Sequence, residues 1–215
     1  MSKLLKKEIM LTMHPTAVIF LALSVMLMIP NYPYFVTFFY TGLAVFFTCM
    51  NGRENNDIFY SMSLPIAKKD IVKARFGLVI FLELLQILIA VPFAVLKQSL
   101  GITGNAAGLD ANIAFFGFSF VMLGLFNRVF LTVYYKNVKK VGFAFIWSNV
   151  ATWTFIAVME VCPFVVPFFR DCLDTPDNQF VGYKLVVLAI GVAVYVLLTL
   201  RAYTKAVKSF DKLDM

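Results

Sequence analysis

Residues 76–96 read FGLVIFLELLQILIAVPFAVL, a run of 21 residues with one charge, Glu83. At ~1.5 Å rise per residue, a helix of this length crosses the ~30 Å hydrocarbon layer of a bilayer. The rest of the chain repeats the pattern. Of its 215 residues, 61% are hydrophobic, 16% aromatic and 14% charged, and the mean hydropathy is +0.84. A soluble domain is nearer half apolar and a quarter charged. There is too little polar surface here to cover a globule in water, so lipid is the solvent the sequence requires. The sequence reads as an all-α integral membrane protein, a single transmembrane domain over residues 1–215.

Working outward from that run, apolar segments fall at 14–29, 35–50, 76–96, 111–133, 142–162 and 183–200. This predicts six transmembrane helices. The first lies between Pro15 and Pro30 and is short for a bilayer. Residues 1–13 carry Lys3, Lys6, Lys7 and Glu8 around Leu4, Leu5 and Ile9. Leu5 and Ile9 share a helix face, which predicts an amphipathic helix on the cytoplasmic surface; a plain extension of the first span is the other reading. The basic start and apolar run resemble a signal peptide. No small-x-small cleavage site follows, so the segment reads as retained. The sequence has no internal repeat.

Charge tests this topology. The net charge is +7, with nineteen Lys and Arg. With the N-terminus inside, only Lys97, Arg170 and Lys184 fall on the outer side. The other sixteen cluster in the inner segments, as the positive-inside rule requires for six spans with both termini cytoplasmic. Charges placed between apolar runs are not a nucleic-acid footprint, which needs a basic face on a folded domain.

The chain carries no engine. No Gly-Lys pair exists to build a phosphate-cradling P-loop, and there is no HExxH. His14 is the only histidine, which removes most metal and Ser-His or Cys-His schemes. Cys49, Cys162 and Cys172 have no metal-ligand spacing. Energy for any work must come from a partner or an ion gradient, and no catalytic residue, metal or cofactor is expected on the chain.

The polar loop 51–75, NGRENNDIFYSMSLPIAKKDIVKAR, is the most informative. Glu54, Asn55, Asn56 and Asp57 make a cap-rich start. Ile58, Phe59, Tyr60 and Met62 follow as a short helix with large apolar knobs, and Leu64-Pro65 ends it. Such knobs suit a groove on another protein or the lipid interface, where aromatics are also favoured.

The run Ser63-Leu64-Pro65-Ile66-Ala67-Lys68-Lys69-Asp70-Ile71-Val72-Lys73-Ala74-Arg75-Phe76 resembles a stretch found after the second of six spans in small bacterial ABC-2-type permeases. The resemblance is specific over this run of fourteen residues and architectural elsewhere. It implies an exporter permease in the bacterial plasma membrane, with a separate cytoplasmic ATPase that carries ATP and magnesium. It also implies a second permease copy, alike or different, and docking through Glu54, Asp57, Ile58, Phe59, Tyr60, Met62, Leu64 and Pro65. The outer segment 163–182 would then cap the exit. Small permeases of this type resemble exporters of phenol-soluble modulins and lantibiotics, so the implied cargo is an amphipathic peptide or hydrophobic substrate.

Ionisable groups within spans are costly and face protein or water. Glu83 and Arg128 lie at similar depth in consecutive spans, which predicts an ion pair, either a static clamp or a gate. Asn149, Thr152, Ile156 and Glu160 step by three and four along one helix face. That face lines a translocation path or dimer seam, or makes ordinary interhelical hydrogen bonds. Cys162 and Cys172 both fall on the oxidising side and form a disulfide or stay free thiols. In 163–182, two prolines interrupt an apolar stretch too short to cross, which fits a dip into the outer leaflet. Two other functions compete. An intramembrane protease would need paired glutamates with several histidines, and the sequence lacks them. An ion-coupled carrier would show repeats or broken helices; a non-catalytic membrane scaffold needs neither.

Overall fold

The computed structural model describes residues 2–102 and 104–213, and every regular element in it is helical. Met1, Thr103, Asp214 and Met215 of the expected domain lie outside the described residues. The chain opens with α1 (Ser2–Lys7) and a π-helical turn (Glu8–Thr12). Next comes α2 (Thr16–Ala22), which tightens into a 3-10 run (Leu23–Met28). Then follow α3 (Phe35–Glu54), α4 (Asp57–Met62), α5 (Lys68–Ser99), α6 (Ile113–Tyr134), α7 (Val141–Val165) and α8 (Val181–Asp211).

Five helices, α3, α5, α6, α7 and α8, are long and apolar enough to cross a membrane. The expected first span is a shorter apolar helix, Thr16–Met28. Seven α-helical and six 3-10 residues reach only ~22 Å, less than the hydrocarbon thickness. Its neighbours make up the length. Before it, Glu8 pairs with Arg75 near the start of α5. After it, Asn31 and Tyr32 accept hydrogen bonds from Ala106 and Asn105, just past the end of α5. Residues 8–32 therefore run the length of α5. One face of the N-terminal segment packs on the bundle: Leu5 lies against Gly77, and Glu8 and Thr12 are buried.

The tightest contact is between α6 and α8, which run parallel. A Cβ built on Gly117 would lie 2.8 Å from the Val187 carbonyl, and one on Gly124 would lie 2.9 Å from Cα of Tyr195. The backbones touch because these positions carry no side chain, the usual route to close helix packing in lipid. Aromatic layers fill both ends of the bundle. Phe130, Tyr134, Tyr135 and Phe210 pack at the inner end, and Tyr34, Phe35, Phe38 and Phe115 at the outer end.

The outer connections are tied down by buried charges. Lys97 bonds Asp110 and sits 4.5 Å over the Tyr34 ring. Lys184 donates to the carbonyls of Thr175 (2.6 Å) and Pro176 (2.7 Å). Asp174 accepts from Asp110 N–H at 2.7 Å, and Asp177 accepts from Ile113 N–H at 2.9 Å. Burial pushes the Asp174 carboxyl above the usual carboxylate range, against the lowering effect of that hydrogen bond. Within 163–182, Leu173 is buried while Phe164, Val165 and Phe168 are exposed. Cys162 and Cys172 are free thiols, so the candidate disulfide is not formed.

Gly117→Val forces a side chain into the α8 backbone and is expected to cost about 3 kcal/mol. Gly142→Ala, where nothing lies within 4 Å, should cost nothing. Thermal unfolding of the two variants in the same detergent checks the contrast.

Candidate functional site

The candidate site is the inner face around α4. Glu54 ends α3, and the turn Asn55–Asn56 reverses the chain with Asn56 in the left-handed region (φ 51°), which Asn tolerates better than most residues. Ser63 Oγ donates to the Tyr60 carbonyl at 2.7 Å and closes the far end. Leu64-Pro65 then prevents the helix from continuing into α5.

Two faces of α4 meet different surroundings. On the inward face, Asp57 approaches Nη2 of Arg75 at 2.6 Å. Arg75 Nε in turn forms an ion pair with Glu8 at 2.5 Å. Lys7 bonds Asp57, donates to Ser61 Oγ at 2.9 Å and lies 3.2 Å from Glu8. The Arg75 side chain is 2% exposed. Two cations and two carboxylates thus neutralise one another where α1, α4 and α5 converge. Each ion is desolvated at a cost that only the complete set offsets. On the outward face, Phe59 and Tyr60 are 61% and 63% exposed. Glu54, Leu64 and Pro65 are also on the surface, while Ile58 is buried and Met62 half-buried. Beside Phe59 opens a cavity of about 410 Å³, with Ile58, Tyr134 and Val138 in its lining and Arg53 and Lys139 as its cations.

The ion cluster is what sequence reading missed. Glu8 is the only acid in the basic N-terminal stretch, and Arg75 stands at the edge of the apolar run. Both were visible, but 67 positions of sequence separate them and nothing in the spacing joins them.

The expected Glu83–Arg128 pair does not form. Glu83 Oε2 accepts from Tyr195 O–H at 2.6 Å and from Asn127 Nδ2 at 2.9 Å. Arg128 donates to Thr132 Oγ1 at 3.0 Å within its own helix. The cause is helical geometry: one residue rotates a side chain by ~100°, so Asn127 faces α5 and α8 while Arg128 turns aside. The depth match was right and the facing residue was its neighbour.

On α7, Thr152 and Ile156 are buried, and Asn149 and Glu160 half-buried. Three aromatic pairs set an antiparallel register with α3: Phe35–Phe155 (6.2 Å), Phe39–Trp153 (5.1 Å) and Phe46–Phe145 (4.1 Å). That register brings Thr37 and Thr41 level with Thr152 and Asn149, but at ~100° per residue they stand on the far side of α3 from the aromatic pairs, on the stripe where Ala44 packs against Ala17, Leu78 and Leu82. The side-chain oxygens of Thr152 and Asn149 are buried without a hydrogen-bond partner among the described residues, while the Glu160 carboxylate lies against the backbone of Leu109 and Phe35. Asn149, Thr152 and Glu160 therefore mark a polar stripe on α7 that faces the aromatic side of α3.

Arg75→Leu strands the Glu8 and Asp57 carboxylates and is expected to destabilise the protein by about 3–5 kcal/mol. The triple change Glu8→Gln, Asp57→Asn, Arg75→Leu removes the stranded charges and should recover much of that loss. Thermal unfolding of the two variants beside wild type tests this, and equal losses would show that the charges are not coupled.

Comparison with known proteins adds one finding. A family model described as ABC-2 family transporter protein matches residues 3–211. No curated protein and no solved structure matches the chain. The match runs through every helix, from α1 to α8, so the chain belongs to the ABC-2 transporter family, as a multi-pass membrane permease subunit.

Proposed function

We propose that this chain is the permease of an ATP-driven exporter and that a separate cytoplasmic ATPase docks on α4. The observation that carries the reading is the pair Phe59 and Tyr60. Two large aromatic side chains stand exposed on a short helix that a buried ion cluster holds in place. Exposed aromatics on a rigid support make binding anchors, because little conformational freedom is lost on docking. The chain has no P-loop, so ATP and magnesium belong to the partner. Movement of the partner reaches the N-terminal segment and α5 together, since Lys7 and Arg75 both pair with Asp57 of α4.

In this reading the inner face is cytoplasmic and bears sixteen of the nineteen Lys and Arg, and both chain ends lie there in a bacterial plasma membrane. Segment 8–32 counts as the sixth passage because it runs the length of α5. The outward sides of α7 and α8 are apolar and exposed, so lipid and a second permease copy cover them. The α7 stripe against α3 supplies the unpartnered hydroxyl of Thr152 and amide oxygen of Asn149 among aromatic side chains. An amphipathic peptide offers the matching backbone N–H groups and apolar side chains, which makes it the favoured cargo over drug-like or lipidic molecules.

The test is co-purification with the candidate ATPase, comparing wild type with Phe59→Asp, Tyr60→Asp. Wild type should bring down the ATPase in stoichiometric amount, and the variant should insert normally yet lose it. An amphipathic cytolytic peptide should then stimulate ATP hydrolysis by the wild-type complex. If no ATPase associates in any mild detergent, the exporter reading falls and an ion-coupled carrier or a scaffold takes its place.

A further inference from the structure

A second cavity lies on the opposite side of the α6–α7 connection from α4. It measures about 550 Å³, with Val129, Val133, Phe143 and Trp147 along its walls and Lys136 and Lys140 at its mouth; Asn137 completes the lining. Its composition is ordered by depth. Lys136 and Lys140 lie in the connection between the helices. Val133 and Val129 lie one and two turns back up α6, and Trp147 stands six residues into α7, about 9 Å deeper. One end is thus cationic at the membrane surface, and the other is apolar at membrane depth.

Among the described residues, none occupies or neutralises this site. No acid is among the lining residues. Neither lysine takes part in an ion pair among the described residues. The turn is held without them: Asn137 Oδ1 accepts from Lys139 N–H at 3.1 Å, and the Asn137 carbonyl accepts from Lys140 N–H at 3.0 Å. Both ammonium groups are therefore available. Trp147 is 52% exposed and Phe143 54%, so the apolar walls open towards lipid rather than into the bundle.

We infer that this cavity binds an anionic phospholipid of the inner leaflet. The phosphate and acidic headgroup lie between Lys136 and Lys140, and one acyl chain runs along Val133, Val129 and Trp147. Basic pockets between helices on the cytoplasmic side suit acidic headgroups, and a tryptophan at that level is at home in the interface. A soluble anion would use the lysines and leave the apolar walls unfilled. A second copy of the chain, with the same basic inner face, would bring further cations to Lys136 and Lys140 rather than the anion they lack. A phospholipid meets both ends at once and needs no docked ATPase.

The test uses the full-length chain in bilayers, with Trp153→Phe so that Trp147 is the sole tryptophan. Brominated phosphatidylglycerol and brominated phosphatidylcholine are compared as quenchers of Trp147 fluorescence. Wild-type lysines should give phosphatidylglycerol a preference on the order of tenfold or more, from two cations beside an anionic headgroup. Lys136→Gln, Lys140→Gln should abolish it. Lys205→Gln, Lys208→Gln removes the same charge from the inner end of α8 and should leave it intact. Circular dichroism confirms that each variant keeps its helix content. Val129→Trp, read by lipid retained on native mass spectrometry, should also lose phosphatidylglycerol, because it fills the acyl end and spares the lysines. Equal quenching by the two lipids overturns the proposal. So does a preference that survives in Lys136→Gln, Lys140→Gln, or one that falls equally in the α8 control, which would be diffuse attraction. Displacement by excess inorganic phosphate would mark an anion site and overturn it as well.

Discussion

Arg75 stands at the foot of the longest helix with a carboxylate on each side, and its side chain is 2% exposed. A guanidinium that cannot reach water must be neutralised where it is. Glu8 supplies one charge from the N-terminal turn and Asp57 the other from α4, while Lys7 balances the surplus. This requirement organises the inner face. It draws residues 7–8 against α5 and fixes which side of α4 turns inward. By default it also fixes which side turns out, because a six-residue helix with Asp57 and Ser61 held inward presents Phe59 and Tyr60 to solvent. A cluster built for charge balance thereby sets the direction of the aromatic anchors.

The middle of the bundle answers a different constraint. In lipid there is little hydrophobic gain in bringing helices together, so packing and hydrogen bonds must do it. Between α6 and α8 the glycines at 117, 124 and 191 let the backbones meet. Beside that contact, Asn127 and Tyr195 both reach Glu83 on α5, and Asn127 also donates to Thr199. Three helices are joined by side chains that would be expensive to bury alone. By contrast, α3 and α7 meet through three aromatic pairs, and Asn149 Oδ1 and Thr152 Oγ1 beside them stay unpartnered among the described residues. The bundle thus has one contact closed by a side-chain hydrogen-bond network and one closed mainly by rings.

Hydropathy made α3, α5, α6, α7 and α8 legible, since a run of twenty apolar residues has few other homes. It was less decisive for Thr16–Met28, which is too short by itself and gains its length from a π-helical turn and an extended segment that hydropathy does not report. The loop 51–75 was legible in outline. Its caps, aromatic knobs and Leu64-Pro65 stop gave α4 and its end. Spacing could not say that Ile58 turns inward and Phe59 outward, since both are large and apolar and only the Arg75 cluster decides between them. Depth along a helix could be counted, and it put Glu83 level with the right turn of α6. Facing direction could not be, because Asn127 and Arg128 differ by one residue and α8 had to be placed before either could be chosen.

The cost of an unpartnered polar atom is paid only while it remains unpartnered. Glu83 and Arg75 have partners on other helices, so pulling those helices apart exposes charges and hydrogen bonds together. Asn149 Oδ1 and Thr152 Oγ1, beside the aromatic pairs of α3 and α7, have none among the described residues, so water or a polar backbone entering between these two helices would satisfy oxygens that the closed state leaves bare. Parting them breaks aromatic contacts and the reach of Glu160 to the Phe35 backbone, whereas parting the helices joined at Arg75 strands buried charges.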